Sequence, residues 1–149
     1  YKMETMKLNT RKNKIFIGLF TALLIFATDL QAKKVSFLNS SVVPAARGYA
    51  KITRDGNRNY IIKIRVANLA EVSRLQEPKI TYVVWMVNEE GVVKNLGQID
   101  SSTSFLSKKL KASFDTATAA KPTQIFITAE DDPNRQIPGT QEVLTTKRF

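Results

Sequence analysis

The sequence predicts an all-β protein, a β-sandwich of about seven short strands preceded by a signal peptide. Several segments alternate between apolar and polar residues with a period of two, as strands do when one face meets the core and the other meets water. Turn-forming residues separate these segments at intervals of about 8 to 12 residues, the spacing typical of sandwiches. Near the N-terminus, a basic stretch precedes a short apolar run, which is the pattern of a secretory signal.

The N-terminal segment predicts export. Basic residues precede the apolar residues 15–27, which are too few to span a bilayer core, because spanning needs about 20 residues. Ala32 ends a tolerable cleavage site, so the predicted signal peptide is 1–32, with translation starting at Met6 or, as the alternative, at Met3, and the mature domain is 33–149. A retained membrane anchor or a buried core helix is the alternative interpretation. If the signal is cleaved, we expect no stable membrane anchor.

Composition excludes several classes of chemistry. The 149 residues include no Cys and no His, which removes disulfides, thiolate nucleophiles, imidazole bases and the usual zinc ligands. We therefore expect no enzyme, no metal site and no cofactor. The formal net charge is +10, and a net charge of +7 remains once the five basic and two acidic residues of the predicted signal peptide are removed. An exported basic domain without cysteines indicates a bacterial periplasmic or extracellular protein that meets anionic lipids and polymers rather than nucleic acid.

The first predicted strands form a hairpin. Residues 33–46 contain a loose apolar patch and a proline, which favours an edge strand or an ordered arm. Two strands follow at 48–54 and 59–66, and Asp55-Gly56 between them supplies the left-handed backbone of a tight turn. The second strand alternates well, with Tyr60, Ile62, Ile64 and Val66 on one face and Lys63 and Arg65 on the other, so one face is predicted to meet the core.

The centre of the chain predicts a second hairpin. Residues 68–78 break the strand period and are predicted to cross between sheets with a short helical turn near 71–75. Residues 80–87 are apolar on both faces, the pattern of a central strand. A Glu-Glu-Gly turn at 89–91 then leads into a returning strand at 92–99. The remaining predicted strands are at 104–114, 124–129 and 142–146.

The collinear order of several short motifs resembles the C-terminal, extracytoplasmic domain of the anti-sigma-K factor family. The resemblance covers residues 47–145. Its central feature is a Tyr-x-x-Trp strand followed by an acidic-Gly turn, and a later Thr-x-Glu strand is followed by a Pro-containing loop. The motifs are Gly48-Tyr49-Ala50, Asn68-Leu69, Tyr82-Val83-Val84-Trp85-Met86-Val87, Glu90-Gly91, Leu96-Gly97, Ile127-Thr128-Ala129-Glu130 and Pro138-Gly139-Thr140.

The resemblance implies an immunoglobulin-like sandwich outside the membrane. In that family, one transmembrane helix joins this domain to a cytoplasmic domain that sequesters a sigma factor. The present chain departs from the family there, because it has no His or Cys for the zinc-bearing helical module and only residues 6–14 lie between Met6 and the apolar run. The resemblance therefore implies fold and location, and leaves a regulatory role open.

Few individual residues suggest chemistry. Trp85, the single tryptophan, is predicted to fill the space between the two sheets rather than to bind a sugar or a partner. Glu130, Asp131 and Asp132 could supply oxygen ligands for Ca²⁺, but they lack the regular spacing of a calcium loop, so a solvated turn is the preferred interpretation.

Basic residues suggest a binding surface. Lys108, Lys109 and Lys111 are the candidate partner-binding basic face, and Arg58, Lys63 and Arg65 could add to it. A solvated strand face explains the same residues, since lysines on edge strands also discourage aggregation.

Two functions follow from these observations. The first is a non-enzymatic exported interaction or sensing module, similar to the anti-sigma-K extracytoplasmic domain, with an envelope protein as partner. The alternative is a secreted structural or adhesive module whose basic face holds an anionic cell-surface polymer, a contact that salt would weaken because screening acts within about 8 Å at physiological ionic strength. A third hypothesis, an enzyme using the carboxylates of Glu130 and Asp131, needs both to face each other across a cleft.

Overall fold

The computed structural model describes residues 32–102 and 111–149, without the side chains of residues 100–102. The predicted signal peptide, except for Ala32, and the predicted basic residues Lys108 and Lys109 lie outside the described residues. Within the described part, no helix is long and apolar enough to cross a membrane.

The regular secondary structure of the described chain is β-strand except for one short 3-10 helix, Val72–Arg74, in the predicted crossover. It has eight strands where the sequence predicted about seven, because the N-terminal segment that could have been an arm forms an edge strand. The strands are β1 (Lys33–Ser36), β2 (Arg47–Arg54), β3 (Tyr60–Ala67), β4 (Thr81–Asn88), β5 (Val93–Ser102), β6 (Lys111–Thr118), β7 (Pro122–Glu130) and β8 (Glu142–Thr145).

All strand pairs are antiparallel, in the order β1-β2-β3-β6-β5-β4-β7-β8. Strand β5 belongs to both sheets: its first part pairs with β4, whereas residues 100–102 pair with β6. The first sheet is therefore β1-β2-β3-β6, and the second is β4-β7-β8. A single bridge between Phe37 and Thr146 links the opposite edges of the two sheets.

One apolar core joins the inner faces of both sheets. From the first sheet, β3 contributes Ile62 and Ile64, both fully buried. From the second, β4 and β7 contribute Val84 and Ile127 to the same cluster. The alternation predicted for β3 and the all-β sandwich predicted from the spacing of the strands are confirmed.

The first hairpin has the predicted turn but a different left-handed residue. Asp55 Oδ1 accepts hydrogen bonds from the backbone N–H groups of Asn57 and Asn59, each at 2.8 Å. The residue with positive φ is Arg58, at 66°, and Gly56 is not among the residues with positive φ. The prediction that Asp-Gly supplies the left-handed backbone is therefore wrong, because the Asp55 side chain organises a longer turn that places this strain two residues later.

Tyr82 ties the core to the crossover, and its ionisation should destabilise the domain. Its side chain is buried, its Oη donates a 2.9 Å hydrogen bond to the carbonyl of Ala70, and burial raises its pKa to about 12. Because the ordinary tyrosine pKa is about 10, the unfolded chain loses this proton first as pH rises. We expect stability to fall between about pH 10 and pH 12, by up to about 2 kcal/mol from this group.

The matched variant for this effect is Tyr82→Phe. It should cost about 1 kcal/mol at neutral pH, because the Ala70 carbonyl loses its donor. It should also show a smaller loss of stability above pH 10 than the wild type in urea denaturation series. Equal alkaline losses in both proteins would show that Tyr82 does not titrate as described.

Candidate binding surface

The outer face of the first sheet is strongly basic. In β2, the buried residues Ala50 and Ile52 alternate with outward ones, and β3 follows the same pattern in register with it. We call the outward surface of β1, β2, β3 and β6 the basic face. Among side chains that the structure describes, its single carboxylate is that of Asp115, and its cations are Lys34, Arg47, Lys51, Lys63, Arg65 and Lys111.

Three lysines of the basic face lie side by side across neighbouring strands. Lys34 is the register partner of Lys51, and Lys51 is the register partner of Lys63. Neighbouring strands are about 4.8 Å apart, and like charges placed directly opposite each other destabilise a sheet. Within the described chain, none of these three ammonium groups lies within 4.0 Å of a carboxylate. We call them the lysine row.

Protection of sheet edges does not explain the lysine row. Lysines on edge strands prevent edge-to-edge aggregation, and Lys34 on β1 could serve that purpose. Lys51 and Lys63, however, lie on β2 and β3, each of which has a hydrogen-bonded neighbour on both sides. Edge protection, which the sequence left open for Lys63, therefore does not account for Lys63 or Lys51.

Next to the lysine row, Tyr49 and Arg65 are register partners. The Nζ atom of Lys34 lies 3.9 Å from the centre of the Tyr49 ring, a cation–π geometry. The guanidinium of Arg65 donates to both carboxylate oxygens of Asp115, one of them at 3.1 Å. This pairing lowers the pKa of Asp115 and raises the pKa of Arg65, and the nearby charge of Lys63, the register partner of Asp115, lowers the pKa of Asp115 further.

A third row holds Arg47, Ala67 and Lys111, in register across β2, β3 and β6. Nη1 of Arg47 donates 2.7 Å hydrogen bonds to the carbonyls of Pro44 and Ala46, which fixes the guanidinium near the start of β2. Because Ala67 is small, the two long basic side chains border an open cavity of about 570 Å³ above it.

The structure describes only part of the predicted basic face, because Lys108 and Lys109 lie outside the described residues, so its role in partner binding stays a prediction. Lys111, Lys63 and Arg65 come together on the basic face, but Arg58 lies in the turn between β2 and β3. Sequence reasoning missed Lys34, Arg47 and Lys51 as members. Lys51 lies between two buried residues of β2, and this alternation could have placed Lys51 on the outward face. Only the register shows that Lys51 lies beside Lys63.

The outer face of the second sheet is covered by its own loop. Trp85 is fully buried, as predicted, but it packs with Val83, Val87 and Phe126 in a cluster separate from the inter-sheet core. The prediction that it fills the space between the sheets is wrong, because Tyr82, Val84 and Met86 occupy the inner positions of β4.

A buried chain of hydrogen bonds fastens that loop. Trp85 Nε1 donates to Thr128 Oγ1 at 2.8 Å, and Thr128 Oγ1 donates to Glu130 Oε1 at 2.6 Å. The backbone N–H of Gly139, in the loop between β7 and β8, donates to the same carboxylate oxygen at 2.7 Å. From β5, the side chain of Asn95 donates to two carbonyls of this loop.

These contacts correct the interpretation of the acidic turn. Glu130 is buried rather than solvated, whereas Asp131 and Asp132 are exposed. Asp131 accepts a 2.7 Å contact from Lys79, and the described residues contain no group of three or more side chains suited to a metal ion. Glu130 supports the loop and does not face Asp131 across a cleft.

Comparisons of the chain with family models, with curated proteins and with solved structures find no match. The resemblance to the anti-sigma-K family therefore stays a prediction. The basic face is the feature of the described chain that suggests a function.

Proposed function

We propose that this chain is a non-enzymatic, exported interaction module and that its basic face holds an anionic polymer of the cell surface. The observation that supports this proposal is the lysine row, in which Lys51 and Lys63 stand opposite each other on interior strands without a carboxylate within 4.0 Å in the described part. Asp115, the register partner of Lys63 on β6, offsets part of this repulsion, but both register partners of Lys51 are lysines, and like charges placed opposite each other destabilise a sheet. A bound anionic chain would convert the repulsion into attraction.

The charge distribution favours a macromolecular anion. Six cations and one described carboxylate share a single sheet face, and such a concentration of one sign attracts opposite charge over a wide area. The lysine row spans three strands, or about 10 Å. Several anionic groups in sequence are needed to neutralise it, which a polymer supplies and a single small ion does not.

The basic face has no exposed large apolar side chain of the kind that a membrane-inserting surface presents. Interfacial membrane binding buries large apolar side chains between the headgroups. No exposed large apolar residue of the described chain lies on β1, β2, β3 or β6; these residues are Leu38, Ile80, Val92, Val93 and Ile137. We therefore expect contact through charge with an extended polymer rather than insertion into lipid.

The strand order supports an immunoglobulin-like arrangement, which the resemblance implies. In immunoglobulin domains, one sheet has the order A-B-E-D and the other contains C-F-G. Strands β2, β3 and β6 with the end of β5 follow the first order, and β4, β7 and β8 follow the second. This order favours, as a second candidate, a sensing module like the anti-sigma-K extracytoplasmic domain, whose partner would be an envelope protein.

The proposed function is tested by measuring the salt dependence of binding. The purified protein is titrated with sodium polygalacturonate and, as an uncharged control, with dextran, by isothermal calorimetry at about 0.05 M and 0.5 M NaCl. The Debye length shortens several-fold toward high salt, so affinity for the polyanion should fall steeply, and dextran should not bind. Binding that resists salt, or equal binding of dextran, would exclude the basic face as a polyanion site.

A further inference from the structure

We propose that the cavity above Ala67 accepts one acidic sugar residue of the bound polymer, whose anionic group lies between Arg47 and Lys111. This inference rests on the proposed function and deepens it. The lysine row would attract any polyanion of suitable charge density, whereas a cavity selects for the shape of a single repeat unit.

The register of three strands creates the cavity. Ala67 on β3 is the register partner of Arg47 on β2 and of Lys111 on β6. The two basic side chains therefore stand two strand spacings apart, or about 10 Å, with only a methyl group between them. A larger residue at position 67 would fill this space, so the cavity depends on the small central side chain.

One of the two rim cations, Arg47, is positioned before a ligand arrives. Arg47 uses Nη1 for two backbone carbonyls, and a guanidinium carries three more N–H donors on Nε and Nη2. Those donors have no acceptor within the described chain. An arginine held in this way loses little conformational entropy on binding a carboxylate or phosphate.

Apart from its basic rim, the cavity presents mainly apolar surface. Its floor and walls include Ala67, the backbone of Gly48 and the half-buried side chain of Tyr49. At about 570 Å³, it is within the range of small-ligand sites, which are about 300 to 1,000 Å³. An inorganic anion would leave most of this surface without contacts. A sugar ring has apolar C–H faces to cover it, and an acidic sugar also carries the charge that the rim attracts.

The test separates the cavity from the lysine row. The full chain, labelled with ¹⁵N, is titrated with D-galacturonate and with neutral D-galactose, and shifts of the Ala67 and Ser113 amides are followed. D-Galacturonate should bind saturably and about tenfold or more tighter than D-galactose, the factor expected for one charge-assisted contact.

Two variants remove different parts of the cavity. Ala67→Phe fills it without changing charge, and Lys111→Gln removes one rim cation without adding bulk. Each should weaken binding of D-galacturonate about tenfold, while the affinity for polygalacturonate falls by less, since the lysine row is intact. Lys94→Gln, on β5, is the matched control and should leave both affinities unchanged.

The outcomes distinguish this inference from the proposed function. In one outcome, polygalacturonate binds while D-galacturonate binds no better than D-galactose; in another, polygalacturonate binds while D-galacturonate binds both variants as tightly as the wild type. Either result would mean that the cavity is not a sugar site and that the basic face remains a polymer site. If Ala67→Phe does not fold, Lys111→Gln decides alone. If neither the polymer nor the monosaccharide binds, both proposals are excluded.

Discussion

Replacing the lysine row by glutamine, in the triple variant Lys34→Gln, Lys51→Gln, Lys63→Gln, is expected to weaken polygalacturonate binding about 100-fold at low salt. Each lysine at an anionic surface contributes about 1 kcal/mol, and three such contributions correspond to about two orders of magnitude in affinity. The free energy of unfolding should rise, or change by less than about 1 kcal/mol. Removing two like-charge contacts stabilises the sheet, whereas losing the Lys34–Tyr49 cation–π contact destabilises it.

The control for this prediction carries the same change in net charge elsewhere. Lys94, Lys147 and Arg148 are exposed and lie off the basic face, so their triple replacement by glutamine should reduce affinity only slightly through long-range charge. Calorimetric titration of both variants decides the matter. Equal loss in the two proteins would mean that net charge alone drives binding and that the row has no specific role.

The variant Trp85→Ala is expected to lower the free energy of unfolding by about 3 to 5 kcal/mol, the usual cost of removing a buried tryptophan. Trp85 is fully buried, its ring stacks on Phe126 with centroids 6.3 Å apart, and its Nε1 donates to Thr128. Removing it empties the outer cluster of the second sheet. It also deletes the first member of the hydrogen-bond chain that leads to Glu130 and the β7–β8 loop.

Two comparison variants separate packing from hydrogen bonding. Trp85→Phe retains most of the apolar contact and loses the Nε1 donor. The lost hydrogen bond should lower the free energy of unfolding by about 1 to 2 kcal/mol, in addition to the small cost of the reduced side-chain volume. Ile80→Ala, at a position 71% exposed, should change stability by less than about 0.5 kcal/mol. Urea denaturation followed by far-ultraviolet circular dichroism measures all three. A Trp85→Ala cost below about 1 kcal/mol would mean that the loop does not seal this face.

Local patterns predicted most of the strands. Alternation located β3 and β2, and the apolar run before the Glu-Glu-Gly turn located β4, because the side-chain period of two is a property of single strands. The strand expected at 104–114 falls mostly outside the described residues, and its last part overlaps β6, Lys111–Thr118. The continuation of β6 to Thr118 was not predicted, because its polar composition gives a weak period, and pairing with β3 determines where the strand ends.

The sequence could not show which face of a strand packs against the other sheet, because that depends on tertiary contacts. The sequence shows that β4 is apolar on both sides, but it does not show which side meets the other sheet. Trp85 was therefore assigned to the wrong side, and Glu130 was taken for a solvated residue, although the β7–β8 loop covers both. That covering arises from contacts of Asn95 and Gly139 with partners distant in sequence, which local patterns do not encode.

The basic face could be predicted only in outline. The charge of each residue is in the sequence, and so is its side of the strand, but the register that places Lys34, Lys51 and Lys63 in one row is set by pairing among three strands. A shift of one residue in any pair would move the lysines to opposite faces. The candidate site is thus a property of the assembled sheet.

The most direct test of the basic face is to map where polygalacturonate binds, using amide chemical shifts of the ¹⁵N-labelled protein at low salt. We predict that the largest changes fall on outward residues of β1, β2, β3 and β6, centred on Lys34, Lys51 and Lys63, with little change at Lys94. Changes concentrated instead on β5 and the loop between β7 and β8 would contradict the assignment of the basic face as the binding surface.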